Sequence, residues 1–260
     1  MSDFGVCLLA AIPLRAEPAD SSEMVSQILF GETFEILESN AKWHKTKCTF
    51  DDYIGWIDKK QAILISEQQF NHWNSSNLKP VNIDFCYLEN LQTKSLMRIP
   101  AGSTIPANTE NLTLGLFQYK IIDKFFDYKN ENQKTAIINF AKQFLNAPYL
   151  WGGRTAMGFD CSGFTQIIFK VFGVNLLRNA SQQADFGELV NFLNEAQAGD
   201  IAFFDNEEMN INHVGILLSN NQIIHCSGQV RIDTIDHNGI FNNETQSYSH
   251  KLRFIKRILK

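Results

Sequence analysis

Short apolar runs separated by turn-forming residues fill the first 65 positions of the chain. They lie at 5–12, 27–30, 33–37, 43–46, 54–57 and 62–65, and they lack helical periodicity. Several short strands at such close spacing are typical of a small β-barrel. Residues 66–128 follow the pattern less regularly, with strand-like runs at 81–88, 96–99 and 112–122. We therefore predict one small β-domain over 1–65 and a second over 66–128.

The pattern becomes helical after a polar stretch at 127–133, which is suited to a linker. Apolar residues at helical spacing predict a helix over 136–145 and another over 161–172. A third helix is predicted over 181–189, with Ser181 as its N-cap. Strand-like runs follow at 201–204, 213–218, 222–226 and 253–259. Helices followed by an antiparallel sheet indicate an α+β domain.

Composition limits the classes of partner. The 260 residues carry 23 Lys and Arg against 28 Asp and Glu, a net charge of −5. An acidic chain has no general affinity for nucleic acid or anionic membranes, so we expect neither as a partner. The sequence indicates no obligate protein partner either. The five cysteines contain no C-x-x-C pair, so they suggest neither a zinc site nor a full disulfide framework. We also expect no cofactor.

The N-terminal segment bears on cellular location. It opens with Met1-Ser2-Asp3 and has no basic region before its first apolar run. Such a start is unlike a secretory signal peptide, and no run approaches the roughly 18 apolar residues of a membrane span. We expect a cytoplasmic protein, or a periplasmic or extracellular one if a signal peptide has been removed.

A cysteine at the first turn of a predicted helix is the first candidate for chemistry. Cys161 lies in GFDCSGF at 158–164, after the glycine-rich YLWGGR at 149–154. A helix N-terminus offers partial positive charge and free N–H groups, which favour a thiolate and can hold an oxyanion. An isolated cysteine is more often a small buried hydrophobe, so this position alone decides nothing.

Two histidines on a predicted hairpin favour a nucleophilic over a structural role for Cys161. The hairpin consists of NHVGILL at 212–218, a three-residue loop, and QIIHCSG at 222–228. With an odd loop, His225 pairs with Gly215, and His213 lies one diagonal step away on the same face. The other histidines are read as satisfied core or surface residues: His44, His72, His237 and His250.

Together these residues predict nucleophilic catalysis. Cys161 requires a base within hydrogen-bond reach, and the base requires a third group that fixes its tautomer. We assign His213 as base and His225 as the orienting group. Attack of the thiolate on an amide carbonyl gives an acyl-enzyme, His213 protonates the leaving amine, and water releases the product.

Five ordered motifs carry a family resemblance: YLWGGR, GFDCSGF, QAGDIAFF at 197–204, HVGI and IIHCSG. Their combination resembles the NlpC-type cysteine peptidases of bacterial cell-wall turnover. LRAEP at 14–18 and YIGWI at 53–57 resemble bacterial SH3-like domains. The resemblance implies a papain-like catalytic domain over 129–260, preceded by two SH3-like β-barrel domains over 1–65 and 66–128.

The resemblance extends to γ-D-glutamyl-L-diamino acid endopeptidases, which implies murein-derived L-Ala-γ-D-Glu-diamino acid peptides as substrates in cell-wall peptide recycling. It implies Tyr149 at the oxyanion or substrate side. Asp160 and Ser162 are expected to hold the free α-amine of L-Ala. A carboxylate beside the nucleophile opposes thiolate formation, so pairing with a cationic substrate resolves that conflict. The alternative for Asp160 is a helix N-cap.

Further pocket residues follow from the same resemblance. An SH3-like domain of such relatives lends an acid and an aromatic residue to the pocket, for which Asp52 and Tyr87 are the candidates. Trp151 and Ser181 are expected as pocket walls, with Trp151 alternatively a core anchor. Arg178 is expected either to meet a substrate carboxylate or to form a surface salt bridge.

Two other functions remain open from the sequence. A Cys-His-His site determines the reaction type, acyl transfer, but not which molecule accepts the acyl group. An amidase or acyltransferase on the same scaffold is therefore the second enzymatic hypothesis. The third is a catalytically inactive cell-wall-binding module. The intact Cys161, His213 and His225 favour an enzyme.

Overall fold

The chain forms two compact units, Met1–Phe126 and Asp127–Lys260. The computed structural model describes residues 3–107, 109–126, 128 and 131–259. The boundary between the units falls at the start of the stretch predicted as a linker, 127–133. Three residues of that stretch, 127, 129 and 130, lie outside the described residues.

The first unit begins with a seven-stranded antiparallel sheet in the order β3-β2-β6-β5-β4-β1-β7. Its strands are β1 Phe4–Val6, β2 Ala11–Arg15, β3 Met24–Leu29, β4 Thr33–Ser39, β5 Trp43–Cys48, β6 Ile54–Asp58 and β7 Ile63–Ile65. Burial alternates along β2, where Ile12 and Leu14 point inward. Strands with period-two burial pack one face on a core, as the short apolar runs predict.

A helix and six strands complete the first unit. The elements are α1 Glu67–Ser75, β8 Leu78–Pro80, β9 Phe85–Asn90, β10 Leu96–Pro100, β11 Thr104–Pro106, β12 Asn111–Leu114 and β13 Phe117–Ile121. The strands form a sheet in the order β10-β9-β13-β12 and the pair β11-β8. Helix α1 was not predicted, although Ser66 and Gln69 form a capping box at its start.

One hydrophobic cluster joins the two parts of the first unit. It contains residues of β1 such as Val6 together with Trp73 of α1 and Leu88 of β9. The indole N–H of Trp73 donates to the carbonyl of Gly31 at 2.9 Å. Gly31 has φ +78°, and a Cβ there would lie 1.8 Å from the carbonyl oxygen of Thr104. The two parts thus share a core, and their separation into two SH3-like domains at residue 65 stays a prediction.

The second unit places helices beside a closed antiparallel sheet. The elements are α2 Gln133–Lys142, β14 Arg154–Thr155, β15 Gly158–Phe159, α3 Cys161–Val171, α4 Ala180–Gln183, β16 Glu188–Val190, β17 Ile201–Asp205, β18 Ile211–Leu217, β19 Gln222–Ser227, β20 Gln229–Ile235, β21 Gly239–Asn242 and β22 Ser247–Arg257. The order is β16-β22-β17-β18-β19-β20-β21, and β21 also pairs with β22. Strands β17 to β22 therefore close into a six-stranded ring.

Helix α3 is the central helix of this unit. Its apolar residues, including Phe164, Ile167 and Ile168, are fully buried. Asp160 caps its first turn, and Gly173 with φ +79° follows its end. A Cβ on Gly163 would lie 2.1 Å from the carbonyl oxygen of Gly153. The glycine-rich loop before α3 thus crosses directly over the helix N-terminus.

The prediction of a helix over 181–189 was wrong. Helix α4 covers only Ala180–Gln183, its N-cap is Asn179 rather than Ser181, and 188–190 form the strand β16. Gly187 has φ +81° and packs against the carbonyl of Arg257, so the chain turns there to pair with β22. No helix in the described ranges is long and apolar enough to span a membrane.

Candidate active site

Cys161 is the first residue of α3 and lies against strand β18. Its Sγ is 3.9 Å from the carbonyl oxygen of Asn212, the residue before His213. Only 8% of Cys161 is exposed. Helix and strand therefore bring the thiol against the backbone of the residue that precedes the predicted base.

The histidine hairpin has the predicted register. Gly215 pairs with His225 across β18 and β19. His213 Nε2 lies 2.8 Å from His225 Nδ1. A Cβ on residue 215 would come within 2.8 Å of the His225 Cβ, so glycine is needed where the imidazole crosses the sheet. The prediction that the two histidines share a face is confirmed.

A buried carboxylate extends this pair into a hydrogen-bonded chain. Asp233 Oδ2 lies 2.9 Å from His225 Nε2. Arg231 also donates to Asp233, from Nε at 2.7 Å and from Nη2 at 3.0 Å. Burial raises the pKa of Asp233, but hydrogen bonds from His225 and Arg231 lower it below its ordinary value. Asp233 is therefore ionised at neutral pH and can only accept.

The ionised Asp233 determines both imidazole tautomers. Its acceptor oxygen requires a proton on His225 Nε2, which leaves Nδ1 of neutral His225 as an acceptor. His213 must then carry its proton on Nε2 and donate it to His225. The Nδ1 of His213 is left unprotonated, which is the state a general base requires.

Neither Asp233 nor Arg231 was predicted. Both lie on β20, which follows the IIHCSG motif through a tight turn, and His225 pairs with Arg231 in register. The signal available in the sequence was an acidic residue, Asp233, an even number of positions after His225. The sequence pattern predicts no strand over 229–235, so it does not indicate that Asp233 faces His225.

His250 on β22 was wrongly read as an ordinary core or surface residue. Its ring stacks on His213 with 3.9 Å between centroids and 20° between planes. Burial, and then the charge of His225, lowers the pKa of His250 to about 4. Burial, with smaller contributions from His250 and His225, lowers the pKa of His213 well below its usual value. The cluster is therefore neutral at neutral pH.

The three imidazoles have a spacing compatible with a metal ion. Ligand atoms of His213, His225 and His250 all lie within 4.8 Å of one another. His225, however, uses Nδ1 for His213 and Nε2 for Asp233. A metal ion bound to all three would have to replace one of these hydrogen bonds. The donor atoms fit a proton relay better than a metal centre, and a site without metal stays a prediction.

We expect the protein to lose stability as the pH falls from about 6.5 to 4. Between these values the unfolded chain protonates His250, whereas the folded chain, with a pKa of about 4, does not. This contribution is intact above pH 6.5 and decreases as the pH falls, by about 3 kcal/mol at most. Thermal unfolding of His250→Asn should depend less on pH than that of the native chain. The matched control is His237→Asn at an exposed position, and equal slopes for all three would contradict the expectation.

The resting thiol is not a thiolate. Burial, and then the charge of Asp160, raises the pKa of Cys161 to about 12. The backbone N–H of Ser162, in the first turn of α3, lowers this pKa in the expected direction, but desolvation of the buried thiol outweighs it. A neutral thiol beside a neutral imidazole requires proton transfer to His213 before or during attack.

Asp160 is the N-cap of α3 and also one half of a buried ion pair. Its Oδ1 accepts from the N–H of Gly163 at 2.7 Å, and its Oδ2 accepts from the N–H of Gly152 at 2.9 Å. Arg178 donates to both oxygens, at 3.0 and 2.5 Å. Ser162 Oγ accepts from Arg178 at 2.9 Å. The amine-binding role of Asp160 and Ser162 stays a prediction.

The alternative of a surface salt bridge for Arg178 was wrong. Only 1% of this residue is exposed, and its partner Asp160 is buried as well. Its Nη atoms bind Asp160 and Ser162. Arg178 therefore neutralises the carboxylate beside the nucleophile, so a substrate amine would have to bind Asp160 alongside Arg178.

Three further residues predicted for the substrate pocket belong to the second unit. Half-buried Tyr149 has its pKa raised by burial and by the nearby Cys161 and Asp160, so its phenol stays protonated and can donate. Trp151 is 61% exposed, so the core-anchor alternative was wrong. Ser181 is exposed on α4. Their roles in substrate binding stay predictions.

Asp52 and Tyr87 belong to the first unit. Asp52 has φ +57° and forms an ion pair with Lys47 at 2.8 Å. Tyr87 is an exposed residue of β9 whose backbone N–H donates to Asp123 at 2.6 Å. Their participation in the substrate pocket stays a prediction.

Comparison with known families identifies the domain that carries this site. Residues 146–249 match the NlpC/P60 family, and residues 14–61 match the bacterial dipeptidyl-peptidase Sh3 domain. The chain contains an NlpC/P60 domain. The family resemblance predicted from the motifs is thereby confirmed, and the site of the NlpC/P60 domain is that of a cysteine peptidase.

Three curated relatives match this chain over part or most of its length. The γ-D-glutamyl-L-lysine dipeptidyl-peptidase of Bacillus cereus is 25% identical over 235 residues, covering 79% of this chain and 68% of that protein. The protein of that name from Bacillus subtilis is 44% identical over 91 residues, which cover 34% of this chain and 30% of the relative. Dipeptidyl-peptidase 6 of Lysinibacillus sphaericus is 22% identical, covering 86% of this chain and 88% of the relative.

A solved structure shows the same fold over nearly the whole chain. The crystal structure of an NlpC/P60 family protein from Bacillus cereus superposes with a TM-score of 0.82, covering 99% of this chain and 100% of that one. The sequence identity is 20%, so this likeness concerns the fold alone. It supports the papain-like architecture of the NlpC/P60 domain.

Proposed function

We propose that this chain hydrolyses the bond between D-Glu and the following diamino acid in murein peptides with a free N-terminal L-Ala. The observation that carries the proposal is the hydrogen-bonded chain from Asp233 through His225 to His213, together with the thiol of Cys161 against the backbone of Asn212. The relatives named γ-D-glutamyl-L-lysine dipeptidyl-peptidase support the choice of bond. A cytoplasmic role in peptide recycling stays part of the proposal and is tested by cell fractionation.

The geometry supports a four-step mechanism. His213 Nδ1 accepts the thiol proton while the Sγ of Cys161 attacks the γ-carbonyl of D-Glu. Free N–H groups at the start of α3, together with the Tyr149 phenol, stabilise the developing oxyanion. His213 then protonates the leaving amine of the diamino acid, and the acyl-enzyme forms. Water, activated by His213, releases L-Ala-D-Glu.

The proposal predicts cleavage of L-Ala-γ-D-Glu-L-Lys but not of its N-acetylated form. The free ammonium is expected to bind close to Asp160, where the acetyl group removes the charge and adds bulk. Mass spectrometry of the two products provides the measurement. Equal cleavage of both peptides would contradict the amine requirement and favour a broader amidase. Transfer of the acyl group to an added amine would favour an acyltransferase.

Removing Asp233 should impair catalysis without removing the nucleophile. In Asp233→Ala nothing fixes the proton on His225 Nε2, so His213 populates the unproductive tautomer. By analogy with the orienting Asp of serine peptidases, we expect kcat to fall about 100- to 10,000-fold. Asp233→Asn should fall by a similar factor, because its amide N–H can donate to His225 Nε2 and hold the unproductive tautomer. Unchanged kcat in Asp233→Ala, in a folded protein, would show that the carboxylate takes no part.

A further inference from the structure

Asp205 is a buried carboxylate with an unsatisfied oxygen. It ends β17 at an irregularity in the pairing with β18, and its side chain is 2% exposed. Among the described residues, nothing donates a hydrogen bond to its Oδ1. Arg253 forms an ion pair with Asp205, its Nε 3.6 Å from Oδ2, but this distance is too long for a hydrogen bond and the contact leaves Oδ1 without a donor. A buried unsatisfied carboxylate oxygen is costly, and a donor on a bound molecule would remove that cost.

Asp205 lines an open pocket of about 370 Å³ in the NlpC/P60 domain. Glu207, Asn212, His250 and Lys251 also line it. The pocket adjoins the reacting groups on two sides. The carbonyl of Asn212 lies 3.9 Å from the Cys161 Sγ, and the ring of His250 stacks on His213.

The position beside the base assigns the pocket to the leaving-group side of the substrate. His213 gives its proton to the leaving amine, so that nitrogen must lie next to His213 in the reaction. His250 forms both the covering layer over His213 and a wall of the pocket. The pocket therefore offers space into which substrate atoms beyond the leaving amine can extend, past His250 toward Asp205.

The charges in the pocket are of both signs. Asp205 and Glu207 carry carboxylates, and Lys251 carries an ammonium group. A terminal diamino acid residue has the complementary pair, an ω-ammonium group and an α-carboxylate. Charge-assisted hydrogen bonds of this type are among the strongest in proteins. An ammonium group supplies three donors, one of which would satisfy Oδ1 of Asp205.

We propose that this pocket binds the diamino acid on the leaving side, with Asp205 pairing its ω-ammonium group and Lys251 its α-carboxylate. The inference rests on the proposed function and deepens it, because it names Asp205 as the residue that recognises the side chain of the diamino acid. Glu207 adds negative charge at the pocket rim. Asp205 is then a specificity-determining residue that lies outside the catalytic relay.

Two peptides that differ only at the ω-amine test the pocket. L-Ala-γ-D-Glu-L-Lys is compared with the corresponding L-norleucine peptide, which retains the methylene chain and lacks the amine. We expect kcat/KM for the lysine peptide to exceed that for the norleucine peptide by at least about tenfold. Asp205→Asn should bring this ratio close to one by lowering only the lysine value. Glu188→Gln, an exposed acid on β16 outside the pocket, should leave the ratio unchanged.

The possible results distinguish failure of the pocket proposal from failure of the proposed function. If the native chain cuts both peptides equally well, the pocket proposal is overturned while the proposed function stands. If it cuts neither, both are overturned. Equal loss on both peptides in Asp205→Asn would show that the carboxylate supports the strand and does not bind the amine. Should that variant fail to fold, the ratio measured on the native chain still decides.

Discussion

Replacing Cys161 by alanine is expected to lower kcat/KM for L-Ala-γ-D-Glu-L-Lys by about five to six orders of magnitude. Loss of the nucleophile from a nucleophile–base pair removes the whole covalent pathway, and removals of this kind in other peptidases have effects of about that size. Residual hydrolysis would come only from substrate positioning and the oxyanion donors. A coupled assay for free lysine provides the measurement.

The control for this variant is another buried thiol. Cys86 lies in the shared core of the first unit and has no part in the relay. Cys86→Ala should lose some stability while its kcat/KM stays within about twofold of the native value, since it leaves the site intact. Iodoacetamide should inactivate the native chain through Cys161, at a rate that rises with pH because the thiol pKa is high. Full activity in Cys161→Ala would overturn the assignment of the nucleophile.

Replacing Arg178 by methionine should destabilise the second unit by about 3–5 kcal/mol. The variant leaves Asp160 as an uncompensated buried carboxylate at the start of α3, which is the costly way to break a buried ion pair. The same charge lies beside Cys161 and would raise its pKa further, so activity should fall as well. Urea unfolding followed by tryptophan fluorescence measures the first effect.

A double variant separates the lost pair from lost packing. Asp160→Asn together with Arg178→Met removes both charges, while the amide can still cap α3 through its oxygen. We expect it to recover a large part of the stability lost in Arg178→Met, as coupling between direct partners predicts. If Arg178→Met alone changed the free energy of unfolding by less than 1 kcal/mol, the ion pair would be unimportant.

Local sequence was sufficient to predict the hairpin and the helix start. The three-residue loop 219–221 sets the parity of β18 and β19, and strand periodicity then puts His213 and His225 on one face. Asp160 is a good N-cap at the residue where the apolar spacing of α3 begins. Both predictions depend on residues within about a dozen positions of one another.

The missed members of the site depend on pairing between distant segments. His250 reaches His213 only because β22 pairs with both β17 and β21, and nothing near residue 250 indicates that closure. The pairing of Arg178 with Asp160 likewise joins residues 18 positions apart through tertiary packing. The raised pKa of Cys161 comes from burial, a property of the whole fold.

Strand β22 has a consequence for how the domain is made. It follows every other element of the site in the chain and pairs with β16, β17 and β21. While the ribosome is still adding these residues, the nascent domain presents unpaired edges on three strands and lacks His250 and Lys251. Open edges invite pairing with other chains. The docking of a single strand therefore both places His250 over His213 and covers the open edges of the sheet in one late step.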